Sequence, residues 1–398
     1  MDADGDPCPT RSPGAVRDPS PHNRNDEPVD LIAGPHRKTA LAVQIPVISI
    51  GLLTIATSLL LSACASQPPR APAPTVMASA ETEPVPGYGD AADDPAIWVN
   101  REDPADSLVI GTDKKRGLNV YRLDGTLHQS LQIGRMNNVD LREGFELGGR
   151  SLVLVAASDR DRNAIALYAF SADQPNLFDV ADGILATGLN EIYGLCMFAD
   201  RANGRFYVFV NDKDGRYQQH ELVTRSAGDR IATRVVREFR VDGQPEGCAV
   251  DDELGWVYIG EENAGFYRMA AAAGVPPDLV PVDRVGTGRL VADVEGIAIY
   301  LGADGGGYLV VSSQGDDAFA VYRRTPPNDY VGRFRIGDGR VDGVSSTDGL
   351  EVTSHPLPSP YEQGLLVVQD GANTAPRAPQ NFKLVPWSEV QRALGLPR

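Results

Sequence analysis

Six times between residues 94 and 352 the chain repeats one short pattern: a polar residue, a glycine or stand-in, an apolar residue, any residue, and another apolar residue. The copies are Asp94-Pro95-Ala96-Ile97-Trp98, Asn137-Asn138-Val139-Asp140-Leu141, Tyr193-Gly194-Leu195-Cys196-Met197, Glu246-Gly247-Cys248-Ala249-Val250, Glu295-Gly296-Ile297-Ala298-Ile299 and Asp348-Gly349-Leu350-Glu351-Val352. Their second positions are spaced by 43, 56, 53, 49 and 53 residues. A second pattern follows each copy in the same phase: an apolar strand, a polar turn, then a strand often closed by Tyr, as in LVIGTDKKRGLNVY, LVAASDRDRNAIALY and YLVVSSQGDDAFAVY. Repeats of this length built from short alternating runs imply an all-β, six-bladed β-propeller with about four strands per blade. A β-sandwich is the alternative architecture, but it gives no reason for two patterns in one phase. The high Gly and Pro content, 41 and 30 residues, fits many turns. Only WSEVQRALG near the C-terminus has helical patterning, and a strand near ETEPV is expected to complete the last blade.

In a propeller, equivalent positions of the innermost strands form a ring around one channel mouth. The first pattern places Asp94, Asn137, Tyr193, Glu246, Glu295 and Asp348 on that ring. The turns of the second pattern add Lys114 and Lys115, Arg160, Lys213, Glu261 and Glu262, Gln314, and Asp370 on the same face. One half of the face is therefore basic and the other acidic. Clustered carboxylates suit hard cations such as Ca²⁺, which takes several oxygen ligands. The candidates are Asp93, Asp94, Glu246, Asp293, Glu295 and Asp342. Asp293 and Glu295, two apart on an extended strand, are expected to face the same side. The sequence has no EF-hand spacing, so its segments must assemble the site. Zinc is disfavoured, because the five His do not cluster and no HExxH occurs. Lys114, Arg160 and Lys213 suit phosphate oxygens. Cation cluster and phosphate cradle on one face imply metal-assisted phosphate-ester hydrolysis. A net charge of −17 argues against nucleic acid as a partner.

The N-terminus reads as an address. Residues 1–38 form a polar leader, disordered or an over-called start. Residues 39–64 form an uncharged signal segment behind the basic His36-Arg37-Lys38. Leu61-Ser62-Ala63-Cys64 resembles a bacterial lipobox, which implies cleavage before Cys64 and lipidation of its thiol; a transmembrane anchor is the alternative. Either way the folded part is expected to be exported and held at the cell envelope, or secreted. Residues 65–84 read as an extended Pro/Ala-rich linker, and 85–398 as the folded domain. Cys196 and Cys248 lack metal-ligand spacing; two buried thiols are expected, with a disulfide as the lesser alternative.

Taken in order, DAADDPAIW, GTDKKRGLNVY, NNVD, EIYGL, NDKDG, PEGCAVDDE, YIGEE, DVEGIAIY, SSQG, VDGVSSTDG and QNFK resemble the β-propeller, or alkaline, phytases across residues 85 to 390. The resemblance implies a calcium-dependent phosphomonoester hydrolase of the 3-phytase type, acting on myo-inositol hexakisphosphate (phytate), with several calcium ions bridging enzyme and substrate. It implies metal roles for Asp93, Asp94, Glu246, Asp293, Glu295 and Asp342. It implies phosphate contacts from Lys114, Lys115, Arg160, Tyr193 and Lys213, with Glu262 and Asp348 completing the catalytic set beside Glu246. A monomer is expected. Asp113 departs from part of the family, and its effect on the adjacent Lys114 is left open between weakening phosphate binding and orienting the lysine. Two other classes compete: a metal-dependent propeller lactonase or esterase, and a non-catalytic calcium-binding interaction module. Neither an RHGxRxP nor a GxSxG motif is present.

Overall fold

A computed structural model of the chain describes residues 68–225 and 228–397. The readings made above for residues 1–64, including the lipobox Cys64, lie outside the described residues. Six antiparallel sheets follow one another along the sequence, each opening with the strand that carries the first sequence pattern. The innermost strands are Ala92–Trp98, Met136–Leu147, Ile192–Asp200, Pro245–Asp251, Val294–Leu301 and Leu350–Thr353. Each neighbours the next, and the last neighbours the first, so the ring is closed. The molecule is a six-bladed β-propeller. Buried apolar side chains fill the spaces between consecutive sheets, one cluster joining blades 2 and 3 and another blades 3 and 4. Alternate residues along each strand serve one face or the other.

Closure uses the segment read from sequence as a linker. Ala80–Glu81 pairs antiparallel with Asn381–Pro386 and becomes the outer strand of blade 6, four residues before the boundary drawn at 85. Thr75–Met77 adds a parallel fifth strand to blade 5. The fold therefore starts by Thr75. The joint is fixed by charge as well as by strand pairing: the fully buried Lys383 ammonium bonds Glu81 and Asp342 and lies 3.3 Å from Asp370. The expected helix is present at Trp387–Leu394, with Trp387 stacked 4.3 Å from Tyr300.

Cys196 and Cys248 form a disulfide, against the expectation of two free thiols. They sit on the innermost strands of blades 3 and 4 with Cα atoms 5.7 Å apart. Their 52-residue separation is one short of the 53-residue step between these two blades, so they sit one position apart on neighbouring innermost strands.

Candidate active site

A local irregularity sets the ring. In each of the first five innermost strands the pairing register shifts at the start: between Ala92 and Pro95, Met136 and Val139, Ile192 and Leu195, Pro245 and Cys248, and Val294 and Ile297. Such bulges re-aim side chains next to functional sites. The two bulge residues are Asp93-Asp94, Asn137-Asn138, Tyr193-Gly194, Glu246-Gly247 and Glu295-Gly296. The equivalent pair in blade 6 is Asp348-Gly349, just ahead of its strand. The sequence alignment of blade 1 is thus one residue out of register: Asp93, not Asp94, holds the ring position. Asp94 occupies the glycine position. Its carboxylate accepts a hydrogen bond from Val139 N at 3.1 Å and lines the channel below the ring.

In blades 3 to 6 the second position is glycine because the next blade's backbone occupies the space. A Cβ on Gly194 would lie 1.9 Å from the Glu246 carbonyl oxygen, and one on Gly349 would lie 2.5 Å from the Asp94 Cα. Each of these blades tucks beneath the ring residue of its neighbour, and Gly349 carries the contact across the ring's closure.

Three ring and loop carboxylates converge. Glu246, Glu262 and Glu295 each offer an oxygen, all within 4.8 Å of one another, and all three residues are buried. Asp93 is buried beside them; neither of its oxygens accepts a hydrogen bond, and Glu295 Oε2 has no partner either. Burial first, and then the surrounding carboxylates, hold the Asp93 and Glu295 pKa values well above the usual range, the Lys114 charge opposing the shift at Asp93. Burial likewise pushes Glu262 to about 7, with Glu246 and Asp293 adding to the rise. Asp293 is outside that group of three, though its charge adds to the rise at Glu262. Unpartnered buried carboxylates are costly unless protonated or met by a cation. An oxygen-only donor set with free lone pairs fits a hard cation.

The basic half surrounds the same mouth. Lys114 Nζ lies 2.6 Å from Asp90, 2.7 Å from Asp348 and 3.4 Å from Asp93. Burial works against the Lys114 charge, and Asp93 and Asp348 more than offset it, raising the pKa of the ammonium. Asp348 is pushed to about 6 by burial despite Lys114, and Gln314 Nε2 donates to its other oxygen at 2.7 Å. Arg160 and Lys213 stand over the Tyr193 ring, 5.5 and 4.4 Å from its centroid. Arg160 Nη1 donates to Asn137 Oδ1 at 3.0 Å, and Asn137 Nδ2 donates to Glu246 at 2.7 Å, linking the basic half to the acidic half. Burial and then Glu246 hold the Tyr193 phenol far above its ordinary pKa, so it keeps its proton.

Lys114, Arg160, Tyr193, Lys213, Glu246, Glu262, Glu295, Asp93 and Asp348 thus meet at one mouth. Three expected residues do not. Lys115 Nζ turns outward to the Tyr88 carbonyl. Asp94 faces the channel. Asp342 is held by Lys383 and by Thr374, whose hydroxyl donates at 2.9 Å; although burial alone would raise it, these donors pull its pKa down, and it has no surplus charge for the cluster. Asp113, beside Lys114, accepts from Gly87 N at 2.7 Å and Lys115 N at 2.9 Å, capping the turn that presents the lysine, an arrangement in line with the orienting alternative. The sequence patterns missed Gln244, which donates to Glu262, and Glu191, which pairs with Arg160. Glu191 stands two residues before Tyr193 in the quoted EIYGL, so proximity to a ring residue was the available signal.

A family model described as Phytase matches residues 44–397. The chain belongs to the phytase family. It is similar to the 3-phytase of Bacillus subtilis (strain 168), 41% identical over 327 residues that cover 80% of this chain and 85% of the relative. Among solved structures it is similar to the β-propeller domain of Myceliophteria thermophila Cps50 (Swd1), at 10% identity and a TM-score of 0.42, covering 73% of this chain and 82% of that one. It is also similar to a chain of the nidogen/laminin complex, at 12% identity and a TM-score of 0.41, covering 65% and 83%. Neither structural likeness bears on function.

Proposed function

We propose that this phytase releases phosphate from myo-inositol hexakisphosphate in a calcium-dependent reaction at the channel mouth. The observation that carries the reading is the link from the Glu246, Glu262 and Glu295 cluster through Asn137 to Arg160 of the basic cradle. Glu246, Glu262, Glu295 and Asp93 would hold calcium, with the charge of Asp293 acting on Glu262. When bound, calcium supplies positive charge to the phosphoryl oxygens and acidifies water for attack.

The protein's own groups have separable tasks. Arg160 and Lys213 bind phosphate oxygens, Arg through its planar fork and Lys as a point charge. Lys114, kept protonated by Asp93 and Asp348, adds a third charge and cannot serve as a base. Tyr193 supports both cations on its ring face and donates from its hydroxyl. Water adds to phosphorus, the P–O bond to the inositol breaks, and the inositol oxygen takes the proton, giving an inositol pentakisphosphate and orthophosphate.

Three convergent cations favour a phosphoester over the uncharged substrates of a lactonase. Export, with a lipid anchor at Cys64 or by secretion, is part of the proposal; the Cys196–Cys248 disulfide, a bond that persists in oxidising compartments, supports the export and does not bear on the anchor. Orthophosphate release from phytate, with Ca²⁺ and then with excess EDTA, tests the reading. Release with Ca²⁺ and none with EDTA is expected. Calcium binding without release in either condition would leave an interaction module instead.

A further inference from the structure

The phosphate cradle is already in use. Glu191, at the turn entering blade 3, places Oε1 2.7 Å from Arg160 Nη2 and 3.6 Å from Lys213 Nζ. Its side chain is 52% exposed, against 17% for Arg160 and 33% for Lys213. The carboxylate therefore approaches the two cations from the solvent side, where a substrate phosphate would arrive. Arg160 has few other contacts: Nη1 is bonded to Asn137, and Nε is buried without a partner. A phosphate that bonds Nη2 from the solvent side needs the position Glu191 Oε1 now holds. Two anions cannot share that position, because like charges in contact repel.

We infer that Glu191 is an internal competitor for the phosphate-binding pair Arg160 and Lys213, released to water as a phosphate group enters and re-paired as orthophosphate leaves. The inference rests on the phytase reading of this mouth. Exposure makes the exchange cheap, since a half-exposed carboxylate regains hydration when it swings out. The ion pair keeps Glu191 ionised: the Arg160 hydrogen bond holds its pKa below the usual range. The exchange also favours an entering group with more than one negative charge, because a monoanion would only replace like with like. Its function would be to keep affinity for the product low, so that orthophosphate does not stay on the cations after cleavage.

The test compares wild type with Glu191→Gln and Glu191→Asp in the presence of Ca²⁺. Kinetics on phytate are combined with direct calorimetric binding of inorganic phosphate. Glu191→Gln is expected to lower the phosphate Kd and the KM together by about two- to five-fold, the range for an exposed ion pair, while kcat does not rise. Glu191→Asp, which keeps the charge, is expected to return both constants toward wild type. Unchanged melting temperatures show that the fold is intact. A raised KM and phosphate Kd in Glu191→Gln would overturn the inference, because Glu191 would then be positioning the cations rather than competing for them; unchanged constants would overturn it equally. If wild type binds phosphate but does not cleave phytate, the phytase reading fails while the binding comparison still decides the role of Glu191. If neither protein binds phosphate, the inference fails as well.

Discussion

Glu262 is the most telling place to perturb the site. It is 8% exposed, and burial together with Glu246 and Asp293 lifts its pKa from 4.5 to about 7. A carboxyl whose folded-state pKa exceeds its unfolded value binds more protons when folded, so stability falls as pH rises between the two values. Below pH 4.5 the group is protonated in both states and costs nothing. By pH 8 it is ionised in both, and the penalty is complete. At 1.36 kcal/mol per pKa unit the loss is about 3 kcal/mol. Other groups also titrate, so the useful quantity is the difference from Glu262→Gln, which is never ionised and keeps an acceptor for Gln244. In EDTA the two proteins should be equally stable near pH 4.5 in urea unfolding. Wild type should then fall behind by about 3 kcal/mol at pH 8. Saturating Ca²⁺ should reverse the order, because a cation on the carboxylate stabilises only the folded wild type by RT ln(1 + [L]/Kd). A gap that fails to open in EDTA would show that Glu262 is not under electrostatic pressure. A gap that Ca²⁺ leaves unchanged would show that the pressure is not there to hold a cation.

Lys213→Ala should leave the melting temperature in place, since the side chain is partly exposed and its charged end meets Glu191 and the Tyr193 face at the mouth. Steady-state kinetics should show kcat/KM lower by roughly 10- to 100-fold, the value of one charge-assisted hydrogen bond; unchanged kinetics would remove it from the cradle. Replacing both Cys196 and Cys248 by Ser opens a loop of 52 residues. Loop-closure entropy puts the loss at about 4 kcal/mol in denaturant unfolding, and a loss near zero would refute the pairing. Gly194→Ala forces a methyl to within 1.9 Å of the Glu246 carbonyl oxygen. It should cost about 1–3 kcal/mol in stability and impair orthophosphate release as well, because the displaced backbone carries a site carboxylate; a variant with normal melting and normal turnover would contradict the close contact.

The six-fold repeat was legible because the blades meet one packing problem at their inner ends, and a polar residue before a glycine is the local solution in blades 3 to 6. The mouth's composition was legible for the same reason: Tyr193, Glu246, Glu295 and Asp348 occupy equivalent positions. What escaped the sequence depends on partners far along the chain. Blade 1 offers two aspartates where blades 3 to 6 offer one polar residue and a glycine, and only the bulge between Ala92 and Pro95 decides that Asp93 enters the ring. Asp342 belongs to Lys383, 41 residues away, and Lys383 in turn draws in Glu81 from the other end of the fold. The blade-closing strand expected near ETEPV is present at Ala80–Glu81, but its extent is set by its partner Asn381–Pro386, and the added strand Thr75–Met77 lay in what read as a linker. The disulfide needed the knowledge that adjacent blades bring Cys196 and Cys248 together, since the two occupy different positions of the repeated pattern.

A crystal grown with Ca²⁺ and measured for anomalous scattering tests the central claim most directly. Peaks coordinated by Glu246, Glu262 and Glu295, within reach of Arg160 and Lys213, are the predicted result. A calcium-saturated crystal with no peak among those three carboxylates, or with the carboxylates protonated and bonded to one another, would contradict it.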